Sequence, residues 1–338
     1  MSAPMFTVAN GRLAAEVTKA GGLGLLAAGL DPSAESPHLA ALDEQLTIAR
    51  ELLGHGSSSN TALPVGIGFI TLLGSTELFH NNSVPIITKH KPALVWLFGS
   101  NPSEPLYGEL ISLLHSVGGS WGLKVCVQVG SVDAARQVVR AGADAVVAQG
   151  ADAGGHLWAK AASLMTLLPE IVDMLKGEFK DRQVAVVAAG GIVDGRGVAA
   201  ALALGADAVT MGTRFITSPE TDTAPYARKA VLAAQDGGVA TTASSHHDAI
   251  QGYPTWSRTY TARAITHQGI VDLEHGNSVE KVAASFNEAK QQGDESRLVT
   301  FAGTGVGLVK VPKPAAEIVD EVRSEALQLF NTISARYE

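Results

Sequence analysis

Short, almost uniformly apolar runs recur along this chain, each closed by a turn-forming segment and followed by a stretch with helical spacing of its apolar positions. The runs are Gly24–Ala28, Pro64–Ile70, Ala93–Phe98, Leu123–Gln128, Ala145–Gln149, Val184–Ala188 and Ala208–Met211. A strand with one wet face alternates apolar and polar residues. These do not, so each predicts a parallel strand covered on both sides. Amphipathic stretches at Arg12–Ala20, Leu42–Leu53, Leu106–Val117, Val132–Ala141 and Arg196–Leu204 predict the covering helices. With a further short strand at Ala3–Phe6, eight strands alternate with helices, which predicts an α/β fold, specifically a closed (β/α)8 TIM barrel.

An internal repeat supports that reading. SVDAARQVVRAGADAVVAQG (Ser131–Gly150) and DGRGVAAALALGADAVTMGT (Asp194–Thr213) align at a constant offset of 63 positions over the shared GADAV. Both read as helix, Gly-Ala-Asp turn, then strand, the unit from which such barrels are built. After Met211 the pattern changes. From about Ile216 to Thr300 the chain is polar, helical in period and free of strong strand runs, with SPETDTAP and SSHHDA as loop-like stretches. This predicts a small, mainly helical lid, residues 216–300, inserted after the eighth strand of a barrel made of residues 1–215 and 301–338. FAGTGVGLVKVP (Phe301–Pro312) brings the chain back, and an amphipathic helix, Ala315–Phe330, closes it.

Composition narrows the class. The 338 residues are 46% hydrophobic and 17% charged, enough for a large core. A net charge of −8, with no Lys or Arg run, argues against nucleic acid or an anionic membrane surface as the partner. The first residues lack the basic region and apolar block of a signal peptide. The run Leu23–Leu30 falls far short of the ~20 residues of a membrane span. The single cysteine, Cys126, excludes an intrachain disulfide framework and fits a reducing compartment, so a cytoplasmic protein is expected.

Chemistry in such a barrel sits at the C-terminal ends of the strands, and the last two loops often bind phosphate. Those loops are AAGGIVDG (Ala188–Gly195) and MGTRF (Met211–Phe215). Gly190 and Gly191 let the backbone approach an anion, and Gly212 and Thr213 offer a second set of amides. The first amides of the Gly195–Leu204 helix are expected to point the same way. Taken singly these glycines could be plain tight turns; at neighbouring strand ends they predict a ligand with a phosphate tail. QGADAGGH places His156 behind the Ala145–Gln149 strand, where Gly154 and Gly155 remove bulk and leave room for a flat ligand. A neutral imidazole there could take a proton from a carbon acid, hydrogen-bond a substrate oxygen, or simply cap the next helix. Gln128, ending its strand, could donate to a heterocycle's carbonyl edge or bond to local backbone. Cys126 lies deeper on the same strand and reads as a structural thiol. No metal site is expected: H-x-x-x-H and H-E-x-x-H are absent, and His246-His247-Asp248 reads as a solvated loop.

Together APM (Ala3–Met5), AGGLGLL (Ala20–Leu26), QGADAGGH (Gln149–His156), AAGGI (Ala188–Ile192), GADAVTMGTRF (Gly205–Phe215) and GTGVGLV (Gly303–Val309) resemble the nitronate monooxygenases, formerly called 2-nitropropane dioxygenases. The resemblance spans nearly the whole chain in motif order. It implies an FMN-dependent barrel that oxidises alkyl nitronates, or nitroalkanes, with O2 to a carbonyl compound and nitrite. It further implies that Ala3, Pro4 and Met5 pass along the flavin and that Gln128 meets its ring system. Gln149 and Gly154 would line the flavin pocket, with Gly155 beside them. Gly190, Gly191, Gly212 and Thr213 would hold the phosphate, the segment from Gly303 would return to the cofactor, and His156 would act on the substrate. The family usually carries a longer first strand before APM; here Met1 and Ser2 alone precede it. Other readings on this scaffold are an NAD(P)H-dependent reductase of the enoyl-acyl-carrier-protein or quinone type, and a non-catalytic flavin-binding module.

Overall fold

The computed structural model describes residues 1–56, 61–100, 107–253, 256 and 258–337. Its main sheet contains β1 (Leu25–Ala27), β2 (Leu63–Ile70), β3 (Pro92–Phe98), β4 (Lys124–Val129) and β5 (Ala145–Gln149). The next element, β6 (Gly155–Trp158), belongs elsewhere, and β7 (Ala185–Ala189) and β8 (Ala208–Thr210) complete the sheet. Its order is β1-β2-β3-β4-β5-β7-β8, all parallel. Seven strand predictions therefore stand to within a residue or so. The helix predicted from Leu106 runs over Tyr107–Gly118, Leu106 itself lying outside the described residues, and the last helix extends past Phe330 to Tyr337.

Alternate residues of these strands enter two separate cores, as period-two geometry requires. Val95, Leu97, Val125, Val127, Val146, Ala148, Val186 and Ala188 pack outward against helix residues such as Leu110, Leu114, Val139 and Leu168. Trp96, Phe98, Cys126, Val147, Val187 and Ala189 fill the inside, joined at the mouth by Trp256 and Tyr260.

The first strand of the barrel, expected at Ala3–Phe6, is displaced from its expected place. Ala3–Phe6 is not a strand: the Met5 carbonyl accepts from the amides of Val8 and Ala9, and Thr7 takes a left-handed φ of 62°, so the chain turns there. Residues 1–3 close the ring instead. Met211 N–H donates to Met1 O (3.0 Å), Ala3 N–H to Met211 O (2.9 Å) and Ser2 N–H to Leu23 O (3.2 Å). Ser2 is fully buried, and its Oγ accepts from Leu25 N–H at 3.0 Å. A hydroxyl thus takes the place of a backbone acceptor in the contact between residues 1–3 and β1.

After β8 come helices at Pro225–Ala233, Gly237–Ala240, His246–Gln251, Gln268–Glu274 and Val279–Gln292. This segment also contains β9 (Thr241–Ser244) and β10 (Tyr260–Ile265), which the helical reading overlooked. Strand β10 pairs antiparallel with β9 on one side and with β6 on the other. Its burial alternates strictly along YTARAI, the signature of a half-covered strand. The four pairs Tyr260↔Trp158 to Arg263↔Gly155 tie the inserted segment to the loop that follows β5.

Closure by Ser2 is testable. Ser2→Ala leaves the buried Leu25 amide without its acceptor and is expected to cost about 1–3 kcal/mol. Urea unfolding at unchanged m value measures it; an unaltered midpoint would show that the hydroxyl carries no part of the closure.

Candidate active site

The site grows from the end of β5. Gly150 N–H still donates to Ala189 O (2.9 Å), after which the chain doubles back and Gly155, at φ 72°, starts β6. His156 therefore sits in a strand opposite Ala262, not on a helix cap. Gln149 Nε2 donates to His156 O at 3.0 Å, joining the end of β5 to the histidine. The imidazole stacks on Trp256, with ring centroids 4.1 Å apart at 16°, and Phe301 lies 5.5 Å away. Its Nε2 is 2.9 and 3.0 Å from the two carboxylate oxygens of Asp248. The histidine side chain keeps 18% of its surface exposed, the aspartate 6%.

That aspartate corrects the reading of SSHHDA as a solvated loop. His246–Gln251 is a helix, in which His247 is fully buried and Asp248 nearly so. The polar groups are covered because they satisfy one another. His247 Nε2 lies 3.0 Å from Thr242 O, and its Nδ1 lies 3.1 Å from His267 Nε2. Since a carbonyl can only accept, His247 carries its proton on Nε2 and accepts from His267 through Nδ1.

The glycine loops form a second cluster. Gly190 and Gly191 take φ of 109° and 74°, values that a side chain would strain. Gly212 faces Ala3 and Met5: a Cβ placed on it would lie 3.5 Å from both the Ala3 Cβ and the Met5 Sδ. Pro4 rests on β2, leaving no space for a Cβ at Gly68. Among the described residues, the amides of Gly190, Gly191, Gly212 and Thr213 have no protein acceptor. The Thr213 hydroxyl oxygen accepts from Gly303 N–H at 2.9 Å, which brings the returning segment to the same rim.

One expected set of donors is already occupied. At the start of the Gly195–Ala203 helix, Gly195 N–H donates to Glu325 Oε2 (2.8 Å). The amides of Arg196 and Gly197 donate to Asp194 Oδ1 (3.0 and 3.2 Å). The helix is capped by the chain's own carboxylates, which also place negative charge at its N-terminus. Of the donors expected from the sequence, those of Gly190, Gly191, Gly212 and Thr213 are the ones left without an acceptor among the described residues.

Gly154 also differs from expectation. A Cβ there would lie 2.3 Å from the Ala302 carbonyl carbon, so the missing bulk admits the backbone of Ala302–Gly303 rather than a ligand; beside Gly155 the space is open. Gln128, buried at the end of β4, accepts through Oε1 from Trp96 Nε1 (3.1 Å), a side-chain partner rather than local backbone. Gln149 Oε1 is buried with no donor among the described residues. Cys126 is buried, and desolvation pushes its thiol far up in pKa, as a structural cysteine requires.

Comparison with known proteins now bears on this arrangement. Residues 112–325 match the family model described as nitronate monooxygenase. A nitronate monooxygenase of Neurospora crassa is 44% identical over 99% of this chain and 90% of its own length. Nitronate monooxygenase npaC of Metarhizium robertsii is 35% identical over 99% and 92%. The chain belongs to the nitronate monooxygenase family. It is an oxidoreductase of that family, and the solved structures agree with its fold. FabK from Thermotoga maritima superposes at TM-score 0.75 with 26% identity, covering 99% of this chain and 94% of its own. Nitroalkane oxidase from Streptomyces ansochromogenes superposes at 0.74 with 22% identity, over 98% and 96%, a likeness of fold alone.

Asp248 and Trp256 are the residues that sequence reasoning missed. They lie 92 and 100 positions from His156, in a polar stretch with no motif spacing to link them. The one available signal was a carboxylate directly after a His-His pair with no Lys or Arg within several positions.

The histidine pair behind the site makes stability pH-dependent. Burial, then His247 and Arg297, hold His267 down to about 4, and burial also lowers His247. Below the ordinary histidine value of 6.5 the unfolded chain takes up protons that the folded one refuses, so stability falls as pH drops from 6.5 towards 4. The His267 contribution is on the order of 3 kcal/mol. Urea midpoints at pH 7.5 and 4.5 should show a smaller acid loss in His267→Gln than in the wild type; parallel losses would refute the assignment.

Proposed function

We propose that this chain is an FMN-dependent nitronate monooxygenase that oxidises alkyl nitronates with O2 to a carbonyl compound and nitrite. The observation that carries the reading is Gln149. Its Nε2 holds the His156 carbonyl, its buried Oε1 lacks a donor, and it pairs with Ala189, the residue before Gly190. A flavin mononucleotide offers both a ring N–H for that oxygen and a phosphate for the nearby amides. Gly190, Gly191, Gly212 and Thr213 would hold the phosphate by backbone donation. Ala3, Pro4, Met5, Gln128, Gln149, Gly155 and the backbone at Gly154 and Gly303 would border the ring. A bound flavin supplies the acceptor for the substrate's electrons and their route to O2.

The remaining chemistry belongs to the chain. His156, mostly covered and backed by Trp256, takes the α-proton of a neutral nitroalkane, or, once protonated, donates a hydrogen bond to the nitro oxygens of a nitronate that has already lost it. Removing a positioned base of this kind costs about 10²–10⁴-fold. We assign residues 216–300 as the lid, because they supply Asp248 and Trp256 to the substrate side. The protein is read as cytoplasmic, with its single thiol buried.

Two measurements test this. Anaerobically, a nitronate should bleach the bound flavin and NADH should not; rapid bleaching by NADH would favour a reductase. His156→Asn should keep its flavin absorbance and lose turnover of neutral nitroalkanes far more than of nitronates. If both activities match the wild type, His156 has no part in the reaction.

A further inference from the structure

We infer that Asp248 is the positioning residue that decides which nitrogen of His156 takes up the substrate proton, and that it thereby sets activity on neutral nitroalkanes as distinct from nitronates. The inference rests on the reading of His156 given above. Both Asp248 oxygens lie within 3.0 Å of the same atom, His156 Nε2. An ionised carboxylate can only accept, so Nε2 carries the hydrogen whether the ring is neutral or charged. The lone pair of the neutral ring is thereby assigned to Nδ1.

Two further observations make this more than a surface ion pair. The Asp248 side chain is buried, 6% exposed, and among the described residues His156 is the sole donor to its carboxylate. A buried carboxylate with a single donor is costly unless that donor is held in register. The stack on Trp256, at 16° between ring planes, fixes the tilt of the imidazole, and the β6–β10 pairing fixes its backbone. The ring has little freedom to turn over and present Nε2 instead.

The step is a proton transfer. The Cα–H bond of a neutral nitroalkane breaks, its electron pair moves into the carbon–nitrogen bond as the nitro group becomes a nitronate, and the proton is bonded to Nδ1. The imidazolium so formed keeps its Nε2–H on Asp248, whose negative charge opposes the new positive one. A nitronate supplied as such needs no proton removed, so its oxidation gains little from this arrangement. An asparagine at 248 can donate as well as accept, so it permits the other tautomer and removes the opposing charge.

Asp248→Asn and Asp248→Glu are the variants, with nitroethane and ethylnitronate as substrates. In Asp248→Asn the loss of kcat/KM on nitroethane should exceed that on ethylnitronate at least tenfold, and Asp248→Glu should recover most of the difference. Nitrogen-15 imidazole spectra provide a readout independent of turnover. The His156 signal, identified among the 10 histidines by its absence in His156→Asn, should show the Nε2–H form in the wild type. In Asp248→Asn it should show a mixed or Nδ1–H form. Equal losses on both substrates, no loss, or a wild-type ring protonated at Nδ1 would each overturn the inference. An Nε2–H ring in a protein that turns over neither substrate would instead overturn the proposed reaction and leave the tautomer assignment standing.

Discussion

Four residues of β6 pair antiparallel with four of β10, and this ladder is the constraint on which the site depends. It joins a loop at the mouth of the barrel to a segment that enters the chain about a hundred positions later. Backbone hydrogen bonds in such a ladder fix register, and a slip of one residue would turn His156 to the opposite face. Because register holds, the carboxylate of Asp248 and the ring of Trp256 meet the same imidazole from two sides. Neither the barrel nor the inserted segment has this arrangement alone.

The glycine rim obeys a different rule. There the useful groups are amides, and what matters is which of them the fold leaves without an acceptor. The first amides of the Gly195–Ala203 helix are spent on Asp194 and Glu325, although a helix N-terminus is a ready anion site by itself. Those of Gly190, Gly191, Gly212 and Thr213 have no acceptor among the described residues. Gly190 and Gly191, with left-handed φ, and Gly212, packed against Ala3 and Met5, lie just past the ends of the adjacent strands β7 and β8. Gly303 returns onto Thr213 through one hydrogen bond to its hydroxyl.

Much of the barrel was legible because its strands are buried on both faces, and burial on both faces writes a continuous apolar run into the sequence. The run AVVAQ maps onto β5 without a shift of either end. The exceptions share a cause. Residues 1–3 close the ring through a serine hydroxyl and three backbone bonds, which leave no apolar run to read. Strands β9 and β10 are covered on one face only, and their alternation was lost among surrounding helices. His247 and Asp248 look solvated because polar residues usually are; each is buried only because a partner far along the chain accepts or donates to it.

By itself, then, the order of residues determined the repeated strand–helix unit, the histidine after β5 and the glycines at the ends of the last two strands, since local period and backbone freedom act over a few positions, while its motifs carried the resemblance to the family. Three matters awaited the folded chain: which amides stay free, where the first staff sits, and what lies behind the imidazole. Apart from the local cap that Asp194 places on Arg196 and Gly197, each depends on contacts between segments tens to hundreds of positions apart. Local pattern carries no information about a partner that only packing brings within 3 Å.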